Sequence, residues 1–269
     1  MALSASLASE KSDRPLLRHD DRGVATLTLN RPAERNSLSV GLMNAFQREL
    51  DAIHRDASVR VVVIAANGPA FCAGHDLKEI QAKPGRAIYE SLFKQCSRLM
   101  QTITRLRQPV IAKVHAMATA AGCQLVATSD LAIAGASAKF CTPGVNIGLF
   151  CSTPMVALTR NVARKHAMEM LLTGDAIDAE RAAEIGLVNH VVPDDALDGA
   201  VAELADKIVA KSPLTLAIGK EAFYRQVEIS LNQAYDYASE VMTRNMMAFD
   251  AEEGIDAFLH KRKPNWRGR

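Results

Sequence analysis

The 269-residue chain has little aromatic content: one tryptophan, and 5% aromatic residues in all. A nucleic-acid surface made of basic stripes with interleaved stacking platforms therefore has few residues to draw on. Neither sign of charge predominates, with 32 Lys plus Arg against 30 Asp plus Glu and a formal charge of +2. That balance supplies no general field for nucleic acid or an anionic membrane, and neither is expected as a partner. The five cysteines, Cys72, Cys96, Cys123, Cys141 and Cys151, are odd in number and contain no CxxC pair. A disulfide framework or a structural zinc site wants closer, paired spacing. Reduced thiols and a cytoplasmic location are the expectation. The longest uncharged stretch, residues 140–159, contains Pro143, Pro154, Gly144, Gly148 and several hydroxyls. It does not read as the roughly 20-residue apolar helix that spans a bilayer. His54, His115, His166 and His190 lack a ligand spacing such as HExxH, so no metal is expected. Residues 1–15 are small and polar, and they read as a loose leader without a secretory or transit signal.

What is present is ordinary globular material, 48% hydrophobic and 23% charged. Residues 24–29, VATLTL, put Ala25, Leu27 and Leu29 on one strand face, and Asn30-Arg31-Pro32 ends the run. Ser39 is placed to cap a helix whose Leu42, Ala45, Phe46, Leu50 and Ile53 share one side. Residues 59–65 are β-branched and nearly uninterrupted, as in a strand buried on both faces. A helix is predicted from about 88 to 106, with further strands over residues 109–114 and 131–134. Strands alternating with helices predict an α/β fold with a largely parallel sheet. Asp178 caps a short helix closing at Gly186, and residues 196–260 are helical in texture, broken at Ser212-Pro213 and Glu253-Gly254. The reading is an α/β core over residues 16–200, then a helical region over 201–269 that packs on the core or on a neighbouring subunit.

Two segments present small residues just ahead of a helical pattern: Cys72-Ala73-Gly74-His75-Asp76-Leu77 and Ala118-Thr119-Ala120-Ala121-Gly122-Cys123-Gln124. Small side chains let a ligand approach the backbone, and the first N–H groups of a helix have no internal acceptor. Two such groups converging on one carbonyl oxygen would make an oxyanion hole. Close helix packing explains Ala/Gly clusters equally simply.

NRPAERNSL (30–38), FCAGHDLKEI (71–80), AAGCQLVATSDLAIA (120–134), FCTPGVNIGL (140–149) and FLHKRKPNW (258–266) occur in that order. Together they resemble the crotonase superfamily, the enoyl-CoA hydratase/isomerase family, over about residues 23–266. The resemblance implies a ββα-spiral core, a helical C-terminal trimerisation region, and a homotrimer or dimer of trimers. It also implies an acyl-CoA thioester as substrate, with no cofactor apart from coenzyme A as part of that substrate. By position, the oxyanion-hole donors would be the backbone N–H groups of His75 and Ala121. Ala33, Glu34 and Arg35 would lie near the nucleotide, and Ala73, Asp76 and Leu77 along the pantetheine. Pro143, Gly144 and Leu149 would line the substrate side, while Arg31 and the tail residues Lys261, Arg262 and Lys263 could meet phosphates.

The pattern departs from the family at its proton-transfer groups. Family hydratases use two glutamates, and the matching positions here are Gln124 and Gly144. Hydration needs a base to activate water and an acid to deliver a proton. The Gln124 amide can orient water without accepting its proton, and Gly144 has no side chain. The chain looks most like the branch of enoyl-CoA hydratase domain-containing proteins, in which TPGVNxGLFCST (142–153) stands in place of the second glutamate. The expected activity is action on a CoA thioester through a stabilised enolate in acyl-CoA metabolism, with decarboxylation as one reaction needing no protein base. The alternative is a non-catalytic acyl-CoA sensor or partner subunit. Asp76 reads as a helix cap, and Cys151, with no histidine near it in sequence, as a buried small hydrophobe.

Overall fold

The computed structural model describes residues 14–269; the leader reading for residues 1–15 lies almost wholly outside them. Two sheets share one core. The first has six strands in the order β1 (Leu16–Asp21), β2 (Val24–Leu29), β3 (Val61–Ala66), β5 (Val110–Val114), β7 (Leu131–Gly135) and β10 (His190–Val192). The second has four, in the order β4 (Ala70–Cys72), β6 (Met117–Thr119), β8 (Lys139–Cys141) and β9 (Ile177–Asp178). β1 and β2 form an antiparallel hairpin turned by Arg22 and Gly23, both at positive φ, which suits the twist of a two-residue turn. β2, β3, β5, β7 and β10 run parallel.

The chain repeats one step. β3 leads into β4, β5 into β6 and β7 into β8, so each pass crosses from the first sheet to the second before a helix brings it back. This is the ββα spiral that the resemblance implies, and the α/β class is as predicted. Between passes lie α1 (Val40–Arg55), α2 (Leu77–Ala82), α3 (Arg86–Arg105) and α4 (Ala121–Thr128), followed by α5 (Pro154–Asn161), α6 (Arg164–Thr173) and α7 (Ala179–Glu184). Ser39 caps α1, its Oγ accepting from the Leu42 N–H at 3.1 Å, and Leu42, Met43, Phe46, Leu50 and Ile53 are all buried. Val61 to Ala65 of β3 are buried on both faces, as a central parallel strand requires.

Four helices complete the chain: α8 (Leu197–Val209), α9 (Pro213–Gln226), α10 (Leu231–Met246) and α11 (Phe249–Leu259). Leu197, Val201 and Ala205 of α8 cover Val61, Val63, Ile111 and Ile133 on the outer face of the first sheet. Lys220 of α9 inserts its ammonium between the Ile103 and Gln108 carbonyls and the Asp130 carboxylate, fastening the C-terminal region to its own core. The break expected at Glu253-Gly254 is absent, because α11 runs straight through it. A Cβ at Gly254 would come 3.0 Å from the Trp266 ring, so this glycine makes room for the returning C-terminal strand of chain.

Candidate functional site

The three short parallel strands β4, β6 and β8 lie side by side and end at one edge of the second sheet. Their C-terminal ends run directly into Ala73–His75, Ala120–Ala121 and Thr142–Gly144. Topology therefore gathers three segments that are far apart in the chain. Two close approaches hold the first pair together. A Cβ on Gly122 would collide with the Cys72 carbonyl oxygen, and one on Gly74 would lie 2.9 Å from the Ala120 Cβ and 3.2 Å from the Ala121 nitrogen. Only glycine fits at either place.

The direction of the His75 amide follows from its hydrogen-bond pattern. Leu38 and His75 form a parallel bridge. Leu38 donates to the Gly74 carbonyl at 2.7 Å and accepts from the Asp76 N–H at 3.4 Å. Leu38 thus spends both of its backbone groups, while the His75 N–H is the one skipped and is directed away from that partner. Ala121 opens α4, so its N–H has no acceptor within the helix. Ahead of it, Ala120 holds φ 51 and ψ −118, a conformation glycine adopts freely and alanine only under strain. The strain falls on Ala120, and Ala121 itself is helical. Among the described residues neither the His75 nor the Ala121 amide has an acceptor, and the Gly74 approach brings the two segments together.

Among the described residues, neither ring nitrogen of His75 has a hydrogen-bond partner, though both are buried. The ring packs edge-on against Phe93, with centroids 5.6 Å apart. Burial pushes its pKa below the ordinary histidine value, and the Leu38 carbonyl offsets only part of that, so the imidazole is neutral at pH 7. Gln124, one turn into α4 from Ala121, is 5% exposed and its Oε1 is likewise buried without a partner. Each such orphan costs about 1–3 kcal/mol until something fills it.

At the third segment, Pro143 opens a short 3₁₀ turn and Gly144 follows. The chain then doubles back: the Leu149 N–H donates to the Gly144 carbonyl at 2.9 Å. A Cβ at Gly144 would meet the Leu149 carbonyl oxygen at 2.5 Å and the Cys151 sulfur at 2.9 Å. Leu149 itself is 57% exposed. Burial raises the Cys123, Cys141 and Cys151 thiols, keeping them protonated and small.

The loop over residues 31–38 is stitched to the His75 loop. Ala73 N–H donates to the Arg35 carbonyl at 3.0 Å. This brings Arg35 beside Ala73, and Arg31 and Ser37 reach Asp76. Asn36, which sequence reasoning passed over, is fully buried, and its Nδ2 reaches the Asn67 and Ala70 carbonyls at 2.8 Å each. It sits at φ 55, and asparagine's tolerance of that region, inside NRPAERNSL, was the available signal. Asp76 caps α2 through the Lys78 and Glu79 amides. Burial pushes its carboxyl up, but Arg31, Glu79 and Ser37 outweigh that and hold it low. Arg31 is held by Asp76 at 3.1 Å and by the Ser37 carbonyl at 2.7 Å. In the tail, Arg262 is taken up by Glu253 and Asp256. An open trough of about 760 Å³ runs along α3, past Tyr89, Lys94 and Arg98, and reaches the Phe93 ring that touches His75.

Residues 19–269 match the model of the enoyl-CoA hydratase/isomerase family. The human enoyl-CoA hydratase domain-containing protein 3, mitochondrial, is 43% identical, with 96% of this chain and 85% of that protein covered. The 2,3-dehydroadipyl-CoA hydratase of Escherichia coli K12 is 35% identical, covering 91% of this chain and 96% of its own. A crystal structure of an enoyl-CoA hydratase from Mycobacterium smegmatis superposes with a TM-score of 0.92 at 53% identity, covering 94% of this chain and 98% of that one. The cytoplasmic expectation is overturned by the relatives named domain-containing protein 3, which are called mitochondrial in human, mouse, rat and frog. Free, buried thiols do not distinguish one reducing compartment from another. The chain belongs to the enoyl-CoA hydratase/isomerase family of the crotonase superfamily and stands with its domain-containing protein 3 branch.

Proposed function

We propose that this chain binds an acyl-CoA thioester with the thioester oxygen between the His75 and Ala121 amides, and acts on it through an enolate held there. The observation that carries this is the juxtaposition of those two unpaired donors through the Gly74–Ala121 approach. Charge that leaves the α-carbon collects on the thioester oxygen, and fixed amides in a dry site stabilise it without reorganising. The acyl group extends past Phe93 towards the trough along α3, and exposed Leu77 and Leu149 offer apolar contact to the pantetheine and acyl ends. Standard hydration is not the reaction we assign, because Gln124 cannot carry a proton and the Gly144 position is filled by backbone. That same absence favours the second reading, a sensor that holds a thioester unchanged.

Leu231, Tyr235 and Met242 on α10 and Phe258 and Leu259 on α11 are large apolar side chains left exposed, and we assign them to self-association as a trimer or dimer of trimers. Sedimentation at a monomer's mass would refute that part.

The test incubates the protein with enoyl-, 3-hydroxyacyl-, malonyl-type and saturated acyl-CoAs, follows each thioester by mass, and measures ligand retained after rapid gel filtration. Ala121→Pro removes one donor at the first helical position. We expect retention of at least one class, and a loss of about 10²-fold or more in any turnover for the variant. Retention with no mass change establishes the sensor. Neither retention nor turnover overturns the acyl-CoA reading.

A further inference from the structure

The site contains two amides that hold an enolate, yet both positions that hold carboxylates in family hydratases lack one. Among the described residues, the titratable side chains around it are already committed elsewhere. Asp76 is bound by Arg31, Ser37 and two helix amides. Cys72 is pushed up to about 12 by burial, and Cys123, Cys141 and Cys151 are raised in the same way. Lys78 and Glu79 lie on the outer side of α2, both exposed, with Glu79 accepting from the Val40 N–H. Tyr89 and Lys94 line the trough on α3 beyond Phe93, and Glu90 there is paired with Arg86. One ionisable group is left over beside the two amides. It is the imidazole of His75, whose own amide is one of the two donors and whose ring nitrogens are both buried and unpartnered.

Resting on the acyl-thioester reading above, we propose that the His75 imidazole is the group that exchanges a proton with the α-carbon of the bound thioester. The same residue then serves twice, its backbone holding the developing oxyanion and its ring handling the proton. The step balances without any further reactant. The unprotonated ring nitrogen takes the α-proton as the C–H bond breaks, and the bonding pair passes into the enolate. The negative charge rests on the thioester oxygen between the His75 and Ala121 amides, opposite the new imidazolium. Reversal returns a proton from the ring to the carbon.

The surroundings suit that role. The ring is faced by Phe93 from α3 and by the Leu38 carbonyl from the segment before α1; around Phe93, α3 also presents Tyr89, Lys94 and Glu90, the last paired with Arg86 at 2.9 Å. The charged residue adjacent in the chain, Asp76, is neutralised by Arg31. No carboxylate therefore holds the ring as an imidazolium in the resting site, and a neutral imidazole keeps the free lone pair a base needs. The edge contact with Phe93 fixes the plane of the ring.

The experiment places the full-length protein with butyryl-CoA in D₂O, follows deuterium entry at the α-carbon by mass, and measures thioester retention in parallel. His75→Ala and His75→Gln both keep the backbone amide and remove the titrating ring. The native protein should exchange the α-protons at a rate that is level above pH 7 and falls in acid, with its midpoint below 6.5. Both variants should retain butyryl-CoA to within about threefold while exchange falls about 10²- to 10⁴-fold. Exchange at the native rate in either variant overturns the assignment. So does a native protein that retains the thioester without exchanging it, or whose exchange lacks the acid limb. Loss of retention in all three proteins falls instead on the acyl-thioester reading, and takes this assignment with it.

Discussion

The Leu149 carbonyl oxygen lies 2.5 Å from the point where a Cβ on Gly144 would stand. One backbone turn thus occupies the place from which a second carboxylate would have to project. Gly144→Glu, alone or with Gln124→Glu, is expected to give no hydration of crotonyl-CoA, and Gly144→Ala to cost about 1–3 kcal/mol through overpacking. Urea unfolding and a thioester absorbance assay measure the two effects. Hydratase activity in the double variant at the level of an ordinary family enzyme would show that the loop yields, and that the missing carboxylates alone explain the departure.

Ala120 is held at φ 51 and ψ −118, directly before the donor amide of Ala121. Glycine relieves that conformation, while adding backbone freedom to the unfolded chain worth about 0.4–1 kcal/mol. Relief of about 1–3 kcal/mol is the larger effect. Ala120→Gly should therefore stabilise the protein by about 1 kcal/mol, raising the urea midpoint. A lower midpoint would mean that packing of the Ala120 methyl against Gly74 outweighs the strain.

Much of this was readable along the chain, and the reasons differ by element. Ser39 and the side chains beneath it announce α1, because a cap and a 3.6-residue stripe are local signals. The β-branched run of β3 announces a buried strand for the same reason. β1 went unread because Arg18, His19, Asp20 and Asp21 give an edge strand a polar texture, and its pairing with β2 is what makes it a strand. β4, β6 and β8 are three residues each, too short for any periodicity, yet their pairing is what brings His75, Ala121 and Gly144 to one edge. Family resemblance named those residues, and only the topology explains their meeting. The return of Leu149 onto Gly144 is a contact across a fold with no trace in local pattern, and for Asn36 the asparagine within NRPAERNSL signals the backbone conformation but not its partners at Asn67 and Ala70. The ion pair of Arg31 with Asp76, 45 residues on, is likewise a contact that no local pattern carries.

Lys220 carries a buried ammonium from α9 to three acceptors, at 2.9 Å from Ile103 O, 3.0 Å from Gln108 O and 2.6 Å from Asp130 Oδ2. Asp130 in turn accepts from Tyr224 Oη at 2.8 Å and from the Val110 N–H at 2.7 Å, so it ties a C-terminal helix to the start of β5. Removing one partner of a buried pair leaves the other uncompensated, typically at about 3–5 kcal/mol. Lys220→Ala should cost about 3 kcal/mol, less than the top of that range because Asp130 keeps two donors. Urea denaturation reads the loss. A change below about 0.5 kcal/mol would place Lys220 among ordinary surface residues.

Asp250 is 2% exposed, with its carboxylate accepting from Ser212 Oγ at 2.6 Å, the Arg267 N–H at 2.7 Å and the Gly268 N–H at 3.0 Å. Burial pushes the carboxyl up, but those three donors, with the Arg60 charge, outweigh it and leave the pKa below its ordinary value. A carboxylate depressed in the folded state adds stability above its unfolded pKa, near 3.9, and loses it as pH falls through the lower folded value. Native stability should therefore fall steeply below about pH 4, and Asp250→Asn should be weaker at neutral pH with a shallower acid limb. An amide offers one oxygen where three donors converge and turns an NH₂ towards some of them. The segment carrying Trp266, whose indole donates to the Ala210 carbonyl at 2.8 Å, should then loosen. Trypsin should cut the variant after Arg262 or Arg267 faster than the native chain at pH 7. Equal cutting, together with parallel acid limbs, would show that the carboxylate does not hold the C-terminus.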